Sequence, residues 1–99
     1  MSNVVSFNTY KLQKGTSIPD FLLAMEKLIK EFVSKQKGFI SSKMLVDGDT
    51  WADFTVFETI DDLQTFTPLC GKNDLAKKCY AFMDFNSLNS HVFSVEKSF

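Results

Sequence analysis

The order of hydrophobic periodicities along this chain predicts an α+β fold of the ferredoxin-like kind, β-α-β-β-α-β, with a four-stranded antiparallel sheet carrying its helices on one face. Three observations carry the expectation. Two strand-like runs, 39–46 and 51–58, flank Asp47-Gly48-Asp49-Thr50, and Asp-Gly between such runs signals a hairpin because glycine accepts the positive φ of a twist-matched turn. A stripe at 3.6-residue spacing, Ile18, Phe21, Leu22, Met25, Leu28, Ile29, Phe32 and Val33, marks a long amphipathic helix. Runs rich in β-branched and aromatic residues stand near both ends of the chain.

The first strand is Val4–Leu12. Val4, Ser6, Asn8 and Tyr10 share one of its faces, and Val5, Phe7, Thr9 and Lys11 the other. Lys14-Gly15 ends it. Ser17 then fits a helix N-cap, with Pro19 in the first turn and Asp20 three residues after the cap. Glu26–Lys30, Lys27–Glu31 and Glu31–Lys35 are opposite charges four apart on the polar face, and Gly38 is expected to close the helix. In the hairpin's return strand Trp51, Asp53, Thr55 and Phe57 alternate with Ala52, Phe54, Val56 and Glu58. Large apolar residues on both faces mean that neither face is left wholly to water: one meets helices, the other a second subunit.

Thr59 can cap a second helical region with Asp61 and Asp62 in its first turn, and Pro68 and Gly71 are expected to interrupt it. Asn73 or Asp74 caps a further helix carrying Leu75, Cys79, Phe82 and Met83 on one face. Residues 84–90, with Asn86, Ser87, Asn89 and Ser90, read as a loop, and 91–97 as the last strand.

Ninety-nine residues are enough for one domain with a modest core, spanning 1–99. Eleven Phe point to core and interface packing. Eleven basic against twelve acidic side chains, without a basic stripe, argue against nucleic acid and against an anionic membrane surface. No apolar run approaches the roughly 18 residues that span a bilayer, and the opening MSNVVSFNTY lacks the pattern of a signal peptide. Cys70 and Cys79 fit no metal spacing and read as reduced thiols of a cytoplasmic protein. There is no glycine-rich phosphate loop, no flavin or nicotinamide fingerprint and no paired metal-ligand motif, so no cofactor and no metal are expected.

The Lys14-Gly15 strand end, the long helix, Lys37-Gly38-Phe39 opening the second strand and Val56-Phe57-Glu58 closing the third together resemble the antibiotic biosynthesis monooxygenase-like domains of the dimeric α/β-barrel superfamily. The resemblance covers essentially the whole chain. It implies a homodimer with a pocket in each subunit between sheet and helices. The superfamily includes cofactor-free oxygenases of polyketide-type aromatics, quinol oxygenases and haem-degrading enzymes. The haem-degrading branch uses an Asn on the first strand, a Trp in the second helical region and a His iron ligand. Asn8 matches the first and Phe66 stands in place of the second, but the ligand position falls on Ala76 or Cys79. Haem degradation is therefore not expected.

Asn8, which would point under the helices, is the leading candidate to orient a substrate carbonyl or O₂. His91, the only His, is the candidate general base that deprotonates a phenolic substrate so that the resulting carbanion reduces O₂ directly. Trp51, Tyr10, Phe66 and Tyr80 are candidates to line the pocket of an aromatic or quinol-like ligand. Asp53 is expected to point outward into a salt bridge, with a raised pKa only if it faces inward. Cys79, on the apolar side of a helix, is expected to be inert core. The function expected is a cofactor-independent monooxygenase; the alternative is a non-catalytic homodimer that uses the same pocket to hold a small molecule or to serve a stress response.

Overall fold

A computed structural model describes residues 2–99. The elements run β1 (Val4–Leu12), α1 (Ile18–Glu31), β2 (Phe39–Asp47), β3 (Thr50–Phe57), α2 (Ile60–Lys72), α3 (Asp74–Tyr80) and β4 (Met83–Ser94). The strands form one antiparallel sheet in the order β2-β3-β1-β4, the ferredoxin-like arrangement the sequence predicts. No described helix is long and apolar enough to cross a membrane.

Local chemistry accounts for most boundaries. Ser17 caps α1 by accepting from the Asp20 N–H at 3.4 Å, and Phe21, Met25 and Leu28 are buried on its inner side. Of the three spaced charge pairs, Glu26–Lys30 closes at 2.6 Å, the other two not closing among the described residues. α1 stops at Glu31 rather than at Gly38: a short 3-10 turn, Val33–Lys35, tightens the chain so that Val33 still reaches the core. Gly38, at φ +82°, then swings the backbone into β2, where a side chain would run into the Asp62 carboxylate. The β2–β3 turn is the two residues Gly48-Asp49, with φ +60° at the glycine.

Three expectations are corrected. α2 runs through Pro68 and Gly71 instead of breaking there. Proline lacks only the N–H that would have bonded the carbonyl four residues back, and Thr67 ties the same turn by donating its hydroxyl to the Leu63 carbonyl at 2.9 Å. The break comes at Asn73, whose extended backbone ends α2 and whose side chain accepts from Leu75 N–H at 2.9 Å and Ala76 N–H at 3.2 Å to start α3. Residues 84–90, expected as a loop, belong to β4, and the strand ends at Ser94. The turn-forming residues make a bulge within it: between the pairs Thr9–Asn89 and Lys11–Asp84, Tyr10 alone stands opposite residues 85–88. Asn86 N–H and the Ser87 hydroxyl are both bonded back to Asp84.

Two aromatic groups fill the space between helices and sheet. Phe21 meets Trp51, Phe82 and Tyr10 edge-on at 5.3, 5.9 and 6.2 Å. Phe57 packs on Phe66 at 5.1 Å and on Phe39 at 6.3 Å. On the opposite face of the sheet Phe7 and Phe54 meet edge-on at 6.3 Å, with Phe93 more than half exposed beside them.

Candidate functional site

The two aromatic groups leave a cavity of about 340 Å³ between them, floored by the helix-facing side of the sheet. Strand pairing sets polar side chains across that floor in two rows. Ser42, Thr55 and Ser6 form one, and Asp53, Asn8 and Ser90 the other. The Ser42 and Thr55 hydroxyls are 2.8 Å apart. Overhead are the apolar side chains of Met25, Leu28 and Ile29 from α1, Phe66 from α2, and the thiols of Cys70 and Cys79. A polar floor under an apolar roof suits a flat ring bearing oxygen on one edge.

Asp53 is the chemical centre. It is expected to point outward and instead lies on the floor, because its place in the β3 alternation is that of Thr55 and Phe57, both turned toward the helices. Tyr10, its diagonal neighbour on β1, is buried and donates its hydroxyl to Asp53 Oδ1 at 2.9 Å. Burial pushes the Asp53 carboxyl up to about 6, and the Tyr10 bond holds it from rising further. The conditional expectation, a raised pKa if Asp53 faces inward, thus describes the site.

The surrounding acids respond to the same low-dielectric setting. Burial raises the Tyr10 phenol, and the Asp53 charge raises it further. Cys79 is pushed up to about 11, by burial first and by Asp53 second. Burial raises the Cys70 thiol, partly offset by its 3.4 Å contact with the Tyr80 hydroxyl. Tyr80 is raised mainly by burial. Near neutrality these four groups are protonated and Asp53 is the acid able to change state.

Of the residues singled out from sequence, the structure brings together Asn8, Tyr10, Phe66 and Tyr80 around this cavity. Trp51 lies outside it, its ring packed on Phe21. His91 borders the cavity beside Ser90 and Val92, but its strand position pairs it with Phe7, and its ring stacks on Phe93 at 5.7 Å on the other face of the sheet. It is therefore not placed as a base for a ligand on the floor. Asp53 is singled out from sequence but expected on the wrong side. Ser6, Ser42, Thr55 and Ser90 are missed, and for Ser6 the signal is readable, since Ser6, Asn8 and Tyr10 occupy the same face as buried Val4, where a sheet roofed by helices is normally apolar. Among the described residues no three His, Cys, Asp or Glu side chains gather as a metal-binding group.

No family model and no curated protein matches the sequence. Solved structures do. SnoaB, a cofactor-independent oxygenase from Streptomyces nogalater, is similar with a TM-score of 0.81 at 14% identity, over 99% of this chain and 97% of that one. A candidate antibiotic biosynthesis monooxygenase from Chloroflexus aurantiacus gives 0.68 at 10% identity, over 99% and 97%. A dimeric protein of unknown function with a ferredoxin-like fold from Bacteroides fragilis gives 0.61 at 17%, over 94% and 96%. The structural neighbours thus include proteins of the antibiotic biosynthesis monooxygenase type, and the resemblance seen in sequence holds over nearly the whole chain at the level of fold.

Proposed function

We propose that this chain is a cofactor-independent monooxygenase that converts a phenolic, quinol-like ring to a quinone, working as a homodimer. The observation that carries the reading is Asp53, a carboxylate on a cavity floor beside Asn8, held by Tyr10 and pushed up to about 6. A base is most effective when its pKa lies near the working pH, and Asp53 Oδ2 is the oxygen left free of Tyr10 to take a proton. The phenol O–H gives its proton to Asp53, and the electron-rich ring then reduces O₂. One oxygen atom becomes a carbonyl at a ring C–H position and the other leaves as water, so that phenol plus O₂ balances to quinone plus water. Asn8 supplies an amide to orient the ring oxygen or O₂, and Phe66 and Tyr80 wall the ring. The similarity to a cofactor-independent oxygenase supports the reaction type. The apolar outer face with Phe7, Phe54 and Phe93 supports a dimer.

The test is oxygen uptake together with quinone formation from a set of phenols and hydroquinones. Asp53→Asn is expected to lower turnover by a factor of roughly 10² or more, and Asn8→Ala to lower it less. His91→Ala should leave it unchanged. The wild-type rate should rise with pH through about 6 and then level, since Asp53 works as the ionised base. Full turnover in Asp53→Asn would refute the assignment. Ring binding without oxygen uptake in the wild type would favour a ligand-holding dimer instead. Light scattering that reports a monomer would remove the dimer.

A further inference from the structure

We infer that the cavity selects its ring ligand by charge, taking neutral or cationic rings and turning away anionic ones, a reading that rests on the ring-binding role proposed above. The lining contains a carboxylate and no counterion: among the described residues, no Lys or Arg borders the cavity, and Asp53 is the one acidic residue that does. The two ion pairs among the described residues, Lys11–Asp49 and Lys30–Glu26, are exposed and leave Asp53 out. Its side-chain partner is the Tyr10 hydroxyl, on Oδ1.

A ligand entering this space displaces water from around a charge that has no other compensation, so the interaction is felt in a lower dielectric than at the surface. A cationic group restores neutrality. A neutral hydroxyl satisfies the free oxygen by donating to it. An anionic group meets like charge with no Lys or Arg among the described lining residues to offset it. Phe66, Tyr80 and Phe85 make the rest of the wall aromatic, Tyr80 standing edge-on to Phe85 at 6.0 Å, and none of them carries a charge.

The groups that could change this charge pattern are few. Tyr10 on β1, Cys70 on α2, and Cys79 and Tyr80 on α3 all stand close enough to feel Asp53, and all are raised, so they remain protonated through neutrality. α1 and β2 contribute Met25, Leu28, Ile29 and Ser42 to the lining, none of which titrates. β4 contributes His91, with its ring on the opposite face against Phe93.

The test is calorimetric titration of the whole protein at pH 7.5 with three rings of matched size: 4-hydroxybenzylamine, 4-hydroxybenzyl alcohol and 4-hydroxybenzenesulfonate. The amine should bind tightest, and the sulfonate about tenfold or more weaker than the alcohol. In Asp53→Asn the three should come within about twofold of one another. The wild type at pH 5, where Asp53 has gained its proton while the amine and sulfonate stay charged, should lose the order in the same way, and this arm decides the matter should the variant not fold. A sulfonate that binds as well as the alcohol, an order that survives both pH 5 and Asp53→Asn, or no binding by any of the three would overturn the inference. The predicted order without oxygen uptake by any phenol would refute the oxygenase and leave charge selection standing; turnover without the order would do the reverse.

Discussion

Replacing Asp53 by Asn should make the protein more stable at neutral pH, although it alters the centre of the cavity. The Asp53 carboxyl is raised from the ordinary 3.8 to about 6, with burial as the main cause. The folded value lies above the unfolded one, so the fold binds this proton more tightly than the open chain does. The stabilisation is fully present below about pH 4 and is lost as the pH rises through about 6. A difference of about 2 units, at about 1.4 kcal/mol each, leaves the ionised wild type roughly 3 kcal/mol less stable at pH 7.5 than it would be with the proton in place. Asn keeps an oxygen that can accept from Tyr10 and has no charge to desolvate, but its amide N–H groups need partners on the floor. The net gain expected at pH 7.5 is about 1–3 kcal/mol, with little difference at pH 4. For a chain of this size that corresponds to a rise in Tm of several degrees or more. Urea unfolding of both proteins from pH 4 to pH 8, followed by the fluorescence of Trp51, measures it. The difference between variants cancels the other carboxylates. A variant less stable than wild type by the same amount at every pH would refute the reasoning, because it would mean that Asp53 is not charged at a cost in the fold.

Tyr10→Phe removes the bond that restrains the Asp53 carboxyl, which should climb further above about 6; carbon-13 NMR of the side-chain carboxyl follows its titration, and an unchanged midpoint would contradict the 2.9 Å bond. Gly38→Ala forces a side chain into positive φ and against Asp62, so chemical denaturation should show a loss of about 2 kcal/mol or more. Phe21→Ala empties the meeting point of Tyr10, Trp51 and Phe82 and should cost about 3–5 kcal/mol by the same assay. Pro68→Ala restores a helical N–H in α2 and should stabilise by about 1 kcal/mol, whereas a loss would show that the proline's fixed φ matters more than its missing donor.

The legible parts of the sequence were those whose signals are local. The β2–β3 turn followed from Asp47-Gly48, and α1 from the Ser17 cap and the stripe that contains Phe21, Met25 and Leu28. The misread parts depend on what lies across space. Pro68 breaks an isolated helix, yet Thr67 and the flanking turns carry α2 past it. Asn86 and Ser87 favour turns, yet pairing with β1 on either side keeps them inside a strand. The same division holds at the site. Alternation alone placed Asn8 and Tyr10 beneath the helices, whereas the inward turn of Asp53 depended on which face of β3 meets them. For His91 the residue type alone suggests a base, and residue type says nothing about the face that a strand position selects.

The bulge of β4 has a consequence for how the molecule behaves when crowded. β4 is an edge strand of twelve residues, and an uninterrupted edge of that length would present a long row of backbone donors and acceptors to any passing extended chain. The excursion at 85–88 divides the edge into a regular stretch at 89–94 and a short one at 83–84. Within the excursion Asn86 N–H is already bonded to Asp84 Oδ1, and the Ser87 hydroxyl occupies the Asp84 carbonyl. A strand seeking to add there finds neither a straight template nor free partners along its full length. The irregularity that brings Phe85 and Leu88 to the cavity thus also shortens the straight edge that β4 offers to an added strand to residues 89–94.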